Sequence, residues 1–328
     1  MPSSTRRRLL VAIAGAPAAR TVLAQERVAR VGFLSWQSDG SYYEATSRGF
    51  VAGLADEGYV EGRNVVVERR SAENDPERFK TLGRELAAAK VDVFFAPATP
   101  MATAAWYASR TTPIVIATIM DPVELKFVRS LARPGTRVTG VTTMSDELTV
   151  KRMQLLRDVV PDLKRIGVIV DDAMRTACTQ EIDHANVAAR RLGLALVYQH
   201  VDKPESLPAG YRRLADAGVQ AVMMTLLSTR NGLEKEHAQA ALALGLPSMH
   251  ELEIGAREGA LLSYGPDFAD IFRRAGRYVG RLLKGGRPEE MPMEEPREFR
   301  LAVNLRTAQA LRIVVPPTIL VRADNVYS

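Results

Sequence analysis

The sequence predicts an α/β fold of two doubly wound parallel-sheet lobes, and three observations carry that expectation. From Val28 onward, short Val/Ile-rich runs alternate with longer segments of helical apolar spacing. The alternation comes as two consecutive series of similar size without an internal repeat. A polar, proline-rich stretch at 285–296 then precedes one more strand and helix, as expected of a linker crossing late between lobes.

The first 25 residues, MPSSTRRRLLVAIAGAPAARTVLAQ, stand apart from the fold. Three consecutive arginines, a short apolar run and a Val-Leu-Ala end read as an export signal cleaved near residue 24. Thr5 to Leu10 also approximate a twin-arginine pattern, and an ordinary secretory signal fits as well. Pro17 and Arg20 break the apolar run far short of the roughly 20 residues that span a membrane.

The first lobe is expected from 26–142 plus 264–290, with strands at 29–34, 64–68, 91–96, 114–118 and 138–141. Between the first two, a helix at 43–57 puts Phe50 and Leu54 on one face and meets Gly58 as its stop. The second lobe is expected from 143–263 plus 291–328. Its strands fall at 165–170, 194–201, 219–225, 247–249 and 260–263, and its helices at 176–192, 204–217 and 233–244. A long helix at 266–283, a strand-helix pair at 299–311 and the stop signal VVPPTIL complete the chain.

Composition excludes several function classes. Formal charge is +6, but Arg6, Arg7, Arg8 and Arg20 lie in the leader, and without them it is +2. The remaining arginines are interspersed with acids and lack aromatic partners, so no nucleic-acid partner is expected. Cys178 is the single cysteine, which excludes an internal disulfide and leaves none after the leader for lipid attachment; a periplasmic location fits. The motifs G-x-S-x-G, G-x-G-x-x-G and the Walker loop are absent. His184, His200, His237 and His250 lack metal-ligand spacing, so no metal, cofactor or catalytic residue is expected. The acid pairs 289–290 and 294–295 read as a solvated linker.

In doubly wound sheets, ligands bind at the carboxyl ends of strands. That rule selects the loops at 35–36, 97–101, 118–122, 171–172 and 226–231. Thr99 before Pro100 either leaves free amides for an anion or caps the following helix. Trp36, beside Ser35, is either a stacking wall or a core plug. In TTPIVIATIMDPV, Thr118, Met120 and Asp121 end a strand. Asp121, held off helical geometry by Pro122, either meets a ligand ammonium or caps a helix beginning near Val123, and spacing favours the cap. Tyr264, before Gly265 and Pro266, flanks a hinge or ligand ring, or packs.

Taken in order, VGFLS, GLADEGYVEGRNVVVERRSAE, VDVFFAPATP, TTPIVIATIMDPV, SLARPGTRVTGVT, KRMQLLRDVVPDLKRIGVI, LLSYGPDF, FRLAVNLRTAQAL and VPPTILVRAD resemble the substrate-binding proteins of ABC transporters, in the group similar to the tryptophan/tyrosine-type binding proteins. The resemblance covers nearly all of the chain after the leader. It implies a type I periplasmic-binding fold whose lobes are joined by three crossings, near 141–145, 263–266 and 285–296. It also implies a monomer that takes a small ligand, an amino acid and often an aromatic one, and presents it to an inner-membrane ABC permease.

By matched position, the resemblance carries ligand contact to Ser35, Trp36, Thr99, Pro100, Thr118 and Asp121 on the first lobe and to the loop of Asp171 on the second. Met120, Ser145, Ser228, Glu251 and Tyr264 complete the candidate ligand contacts from the reading of the residues themselves. Two departures stand out. Asp171 and Asp172 occupy an Asn-Pro-type turn, and in TLLSTRN Leu227 replaces the acid of a Pro-Asp-Pro turn. Glu251, Glu253 or Asp171 would then have to pair with an ammonium, or the ligand is a small aromatic or aliphatic carboxylate without one. An exported α/β enzyme and a sensor partner are the alternatives from other classes.

Overall fold

A computed structural model describes residues 27–119, 121–143, 146–172, 179–225 and 233–328. Strands β1 (Ala29–Ser35), β2 (Val65–Ser71), β3 (Val93–Phe95), β4 (Ile114–Ile119) and β5 (Val138–Thr142) form one parallel sheet in the order β2-β1-β3-β4-β5. Helices α1 (Gly40–Asp56), α2 (Arg78–Ala88) and α3 (Thr99–Ala108) connect its first four strands. The strands are nearly continuous Val, Ile and Phe because helices cover both faces of the sheet.

The second sheet takes β6 (Arg165–Asp171), β7 (Ala195–Val201), β8 (Ala221–Met224), β9 (Ser248–His250), β10 (Leu262–Pro266), β11 (Phe299–Asn304) and β12 (Asn325–Tyr327), in the order β12-β11-β10-β9-β8-β6-β7. It is parallel except between β10 and β11. The antiparallel step arises because the chain leaves the sheet after β10 and re-enters from the other lobe. Helices α4 (Asp146–Val159), α5 (Thr179–Arg191), α6 (Leu207–Asp216), α7 (Glu234–Ala243) and α8 (Glu253–Arg257) serve this sheet.

Helix α9 (Phe268–Leu283) follows β10 yet packs on α1, completing the first lobe from a distance of more than 200 residues. Phe50 stacks on Phe95 with centroids 4.3 Å apart, and Phe272 of α9 meets Phe95 edge-on at 5.3 Å. The short helices α10 (Leu305–Ala310) and α11 (Pro317–Leu320) return to the second lobe.

Several expectations need correction. Residues 264–266 belong to β10 of the second sheet, through Tyr264↔Leu301 and Pro266↔Phe299 pairing, so the crossing comes after Pro266. Residues 291–294 run along β5 instead of joining the second lobe. Thr139 Oγ1 donates to the Met291 carbonyl at 2.8 Å, Glu294 N to Gly140 O at 3.0 Å and Thr142 N to Glu294 O at 2.9 Å. Met293 supplies the reason, since its side chain is buried in the first lobe's core. The helix expected near Val123 is a series of turns, VVPPTIL includes the short helix α11, and α8 and β12 were not anticipated.

Candidate functional site

The carboxyl ends of the first sheet are laced together before any ligand is considered. Thr118 donates its hydroxyl and its amide to the Pro97 carbonyl, at 3.0 and 2.8 Å, tying the end of β4 to the loop before α3. Thr142 Oγ1 donates to Ile119 O at 2.9 Å and Thr143 N to the same carbonyl at 3.2 Å, tying β4 to β5. The result is a rigid rim of loops on which the sequence-predicted residues sit.

Each of those residues now has a place. Asp121 has no helix to cap and instead bonds the turns that follow it: Oδ1 accepts from Val123 N and Glu124 N, both at 2.9 Å. Trp36 takes the packing role, 5% exposed and edge-on to Phe79 with centroids 4.8 Å apart. Thr99 opens α3 with Pro100 behind it, but the helix is capped at Ala98 without a side-chain bond, so the Thr99 hydroxyl is not spent on capping. Ser35 is buried at the end of β1, where its carbonyl accepts from Ala72 N. Tyr264 is half-buried against the second lobe's core, beside Phe299. Asp171 is buried at the end of β6. Met120, Ser145 and Ser228 lie outside the described residues, as do Leu226 and Leu227.

Sequence reasoning missed Arg152, which pairs with Glu251 inside the second lobe, and Tyr42 of the first lobe. Arg152 of α4 is only 1% exposed and contacts the Glu251 carboxylate, 5% exposed, through Nη2 and Oε1 at 2.9 Å. That contact is an ion pair without hydrogen-bond alignment, so Nη2 has no hydrogen-bond acceptor, while Nε donates to the Tyr264 carbonyl at 2.7 Å. Arg152 therefore joins the ends of β9 and β10. The signal was available: Leu148, Leu155, Leu156 and Val159 form an apolar stripe on α4, and Arg152 stands inside it.

From the opposite lobe, Tyr42 in the first turn of α1 comes within electrostatic reach of Glu234 and Glu251. Burial raises its hydroxyl pKa well above the ordinary tyrosine value, and the two carboxylates add to the effect. On the hinge side, a cavity of about 220 Å³ is bordered by Tyr42, Thr46, Leu252, Ile254, Pro266 and Phe268.

Behind Glu251 the second lobe is polar. His250 is fully buried, and its pKa is pushed down to about 3 by burial and by His237. Tyr211 and His237 share a hydrogen bond of 2.8 Å through the hydroxyl and Nδ1. Among the described residues no group of three His, Cys, Asp or Glu side chains is arranged to hold a metal, and no helix is long and apolar enough to cross a membrane.

Residues 32–327 match the family described as ABC transporter substrate binding protein. A tyrosine-binding protein of Clostridioides difficile (strain R20291) is 26% identical over 272 residues, which are 82% of this chain and 76% of that protein. A conserved domain protein from Vibrio cholerae superposes with a TM-score of 0.84 at 25% identity, covering 92% of this chain and all of that one. The ABC domain from Streptococcus pneumonia in complex with L-Trp superposes with a TM-score of 0.82 at 23% identity, covering 91% and 99%.

Proposed function

Because the chain belongs to the ABC transporter substrate-binding protein family, we propose that it captures an amino acid, aromatic by preference, between its two lobes in the periplasm and delivers it to an inner-membrane permease for import. The observation that carries this reading is the cavity bordered by Tyr42 and Thr46 of the first lobe and by Leu252 and Ile254 of the second, next in sequence to the buried Glu251. A buried carboxylate on one lobe and a helix start with no side-chain cap and a free threonine hydroxyl on the other complement the two charges of a zwitterion. The tyrosine-binding relative and the tryptophan complex support the ligand class.

The work of such a site is binding, with no bond made or broken. The Thr99 amide and hydroxyl and the Thr118 rim receive the ligand carboxylate on the first lobe. Closure then adds Glu251 and Tyr42, contacts that exist only when the lobes meet, so the ligand shifts the population toward the closed form. The three crossings, after 143, after 266 and after 294, absorb the rotation. The permease then reads the closed geometry.

A small aromatic carboxylate is the second reading, favoured by Leu226 and Leu227 standing where relatives of the resembling group carry an acidic turn. Thermal melting of the purified protein with L-tyrosine, L-tryptophan, 4-hydroxybenzoate and aliphatic amino acids separates the two. A ligand at 100 times its Kd stabilises by about 2.7 kcal/mol. Stabilisation by L-tyrosine or L-tryptophan but not 4-hydroxybenzoate is the expected result; the reverse pattern selects the second reading, and no stabilisation by any of them counts against both.

A further inference from the structure

The Arg152–Glu251 pair is out of place as a stability device. A buried ion pair contributes little that a well-packed apolar pair of the same volume would not, because both charges lose their hydration. The surroundings would accept such a replacement: Arg152 stands within the apolar stripe of α4, beside Met153, Leu155 and Leu156. What distinguishes this place is its address, at the carboxyl end of β9 and next in sequence to Leu252, which with Tyr42 of the other lobe borders the cavity described above.

The geometry gives the two partners different tasks. Arg152 is fixed twice, by the Tyr264 carbonyl at 2.7 Å and by its burial in the packing of α4. Glu251 meets Arg152 through Oε1, in a contact that lacks hydrogen-bond alignment. Its backbone is equally constrained, since a Cβ built on Gly265 would fall 2.1 Å from the Glu251 carbonyl oxygen. So the main chain of Glu251 is locked against β10 and its carboxylate rests on a guanidinium that is itself held in place.

We propose that Arg152 is a positioning residue that holds the Glu251 carboxylate in place between the lobes, so that Glu251 selects ligands carrying an ammonium group. This rests on the amino-acid reading above and gives that site its discriminating element. It also supplies the acid that the sequence at 226–228 lacks.

The test compares L-tyrosine with 3-(4-hydroxyphenyl)propanoate, the same molecule without its amino group, by titration calorimetry on the full protein and on Arg152→Met, Arg152→Lys and Glu251→Gln. The unaltered protein is expected to prefer L-tyrosine. Glu251→Gln and Arg152→Met should each weaken L-tyrosine roughly tenfold or more while leaving the desamino compound nearly unchanged. Arg152→Lys, which keeps the charge, should retain most of the preference. If Arg152→Met does not fold, Arg152→Lys and Glu251→Gln carry the comparison. Equal weakening of both compounds in the altered proteins, or no weakening, overturns the role of Arg152 and leaves the amino-acid reading standing. Failure of the unaltered protein to prefer L-tyrosine or any other amino acid over its desamino counterpart overturns both.

Discussion

Gly53 of α1 and Arg273 of α9 touch backbone to backbone: a Cβ built on Gly53 would fall 1.9 Å from the Arg273 carbonyl oxygen. Gly49 and Gly276 make similar approaches, to Ala269 O at 2.3 Å and Phe50 O at 2.2 Å. Three glycines thus let two helices meet without side chains between them, and the ion pairs of Asp56 with Arg273 and Arg277 flank the seam.

Gly53→Ala should therefore destabilise the protein by about 1–3 kcal/mol, because the added methyl meets backbone that cannot swing aside. Urea unfolding would report a lower midpoint at an unchanged slope. A stabilised or unaffected midpoint would mean that α9 can shift along α1.

His250 makes stability depend on pH. Its folded pKa of about 3 lies below the unfolded value of 6.5, so between these limits the unfolded chain binds the extra proton. Stability contributed by the neutral, buried ring is fully present above pH 6.5 and is lost as pH falls toward 3, at up to about 1.4 kcal/mol per pH unit. Urea unfolding at several pH values should be steeper in this window for the unaltered protein than for His250→Phe. Identical pH profiles would show that the ring gains its proton without leaving the core.

Asp121→Ala should lower stability by about 1 kcal/mol through loss of the two bonds to Val123 N and Glu124 N. Asp121→Asn keeps an accepting oxygen and should restore it, with L-tyrosine affinity near that of the unaltered protein. Loss of affinity in the Asn protein at normal stability would assign the carboxylate charge to the ligand.

Thr99→Val should leave stability nearly unchanged, since the hydroxyl makes no capping bond. Calorimetry with L-tyrosine should show affinity weakened roughly ten- to a hundredfold, the worth of one hydrogen bond to a charged group. Unchanged affinity would place the carboxylate elsewhere on the rim.

The two sheets were legible because strand and helix periods are local: the runs at 29–34, 114–118 and 165–170 each reappear as a strand extended by one residue. The strand ends were legible for the same reason, by way of the rule that ligands bind there. Local signals failed where the partner is distant. Trp36 has core neighbours from α2 and α3, Met293 is drawn to a lobe its flanking prolines do not indicate, and Arg152 meets Glu251 across about 100 positions. Three-residue β12 is too short to carry a period, and pairing with β11 alone defines it.

The seam between α1 and α9 also sets an order of events in the life of the chain. Phe272, Ala275, Tyr278 and Val279 belong to the same core as Phe33, Phe50 and Phe95, yet they are made last among its members. While the ribosome is still producing the second lobe, the first has no lid on its aromatic cluster, whereas most of the second sheet is already complete when α9 emerges. The lobe that starts the sequence thus waits for a helix made after five of the second sheet's seven strands, and a chain cut before residue 268 would leave that cluster open to solvent.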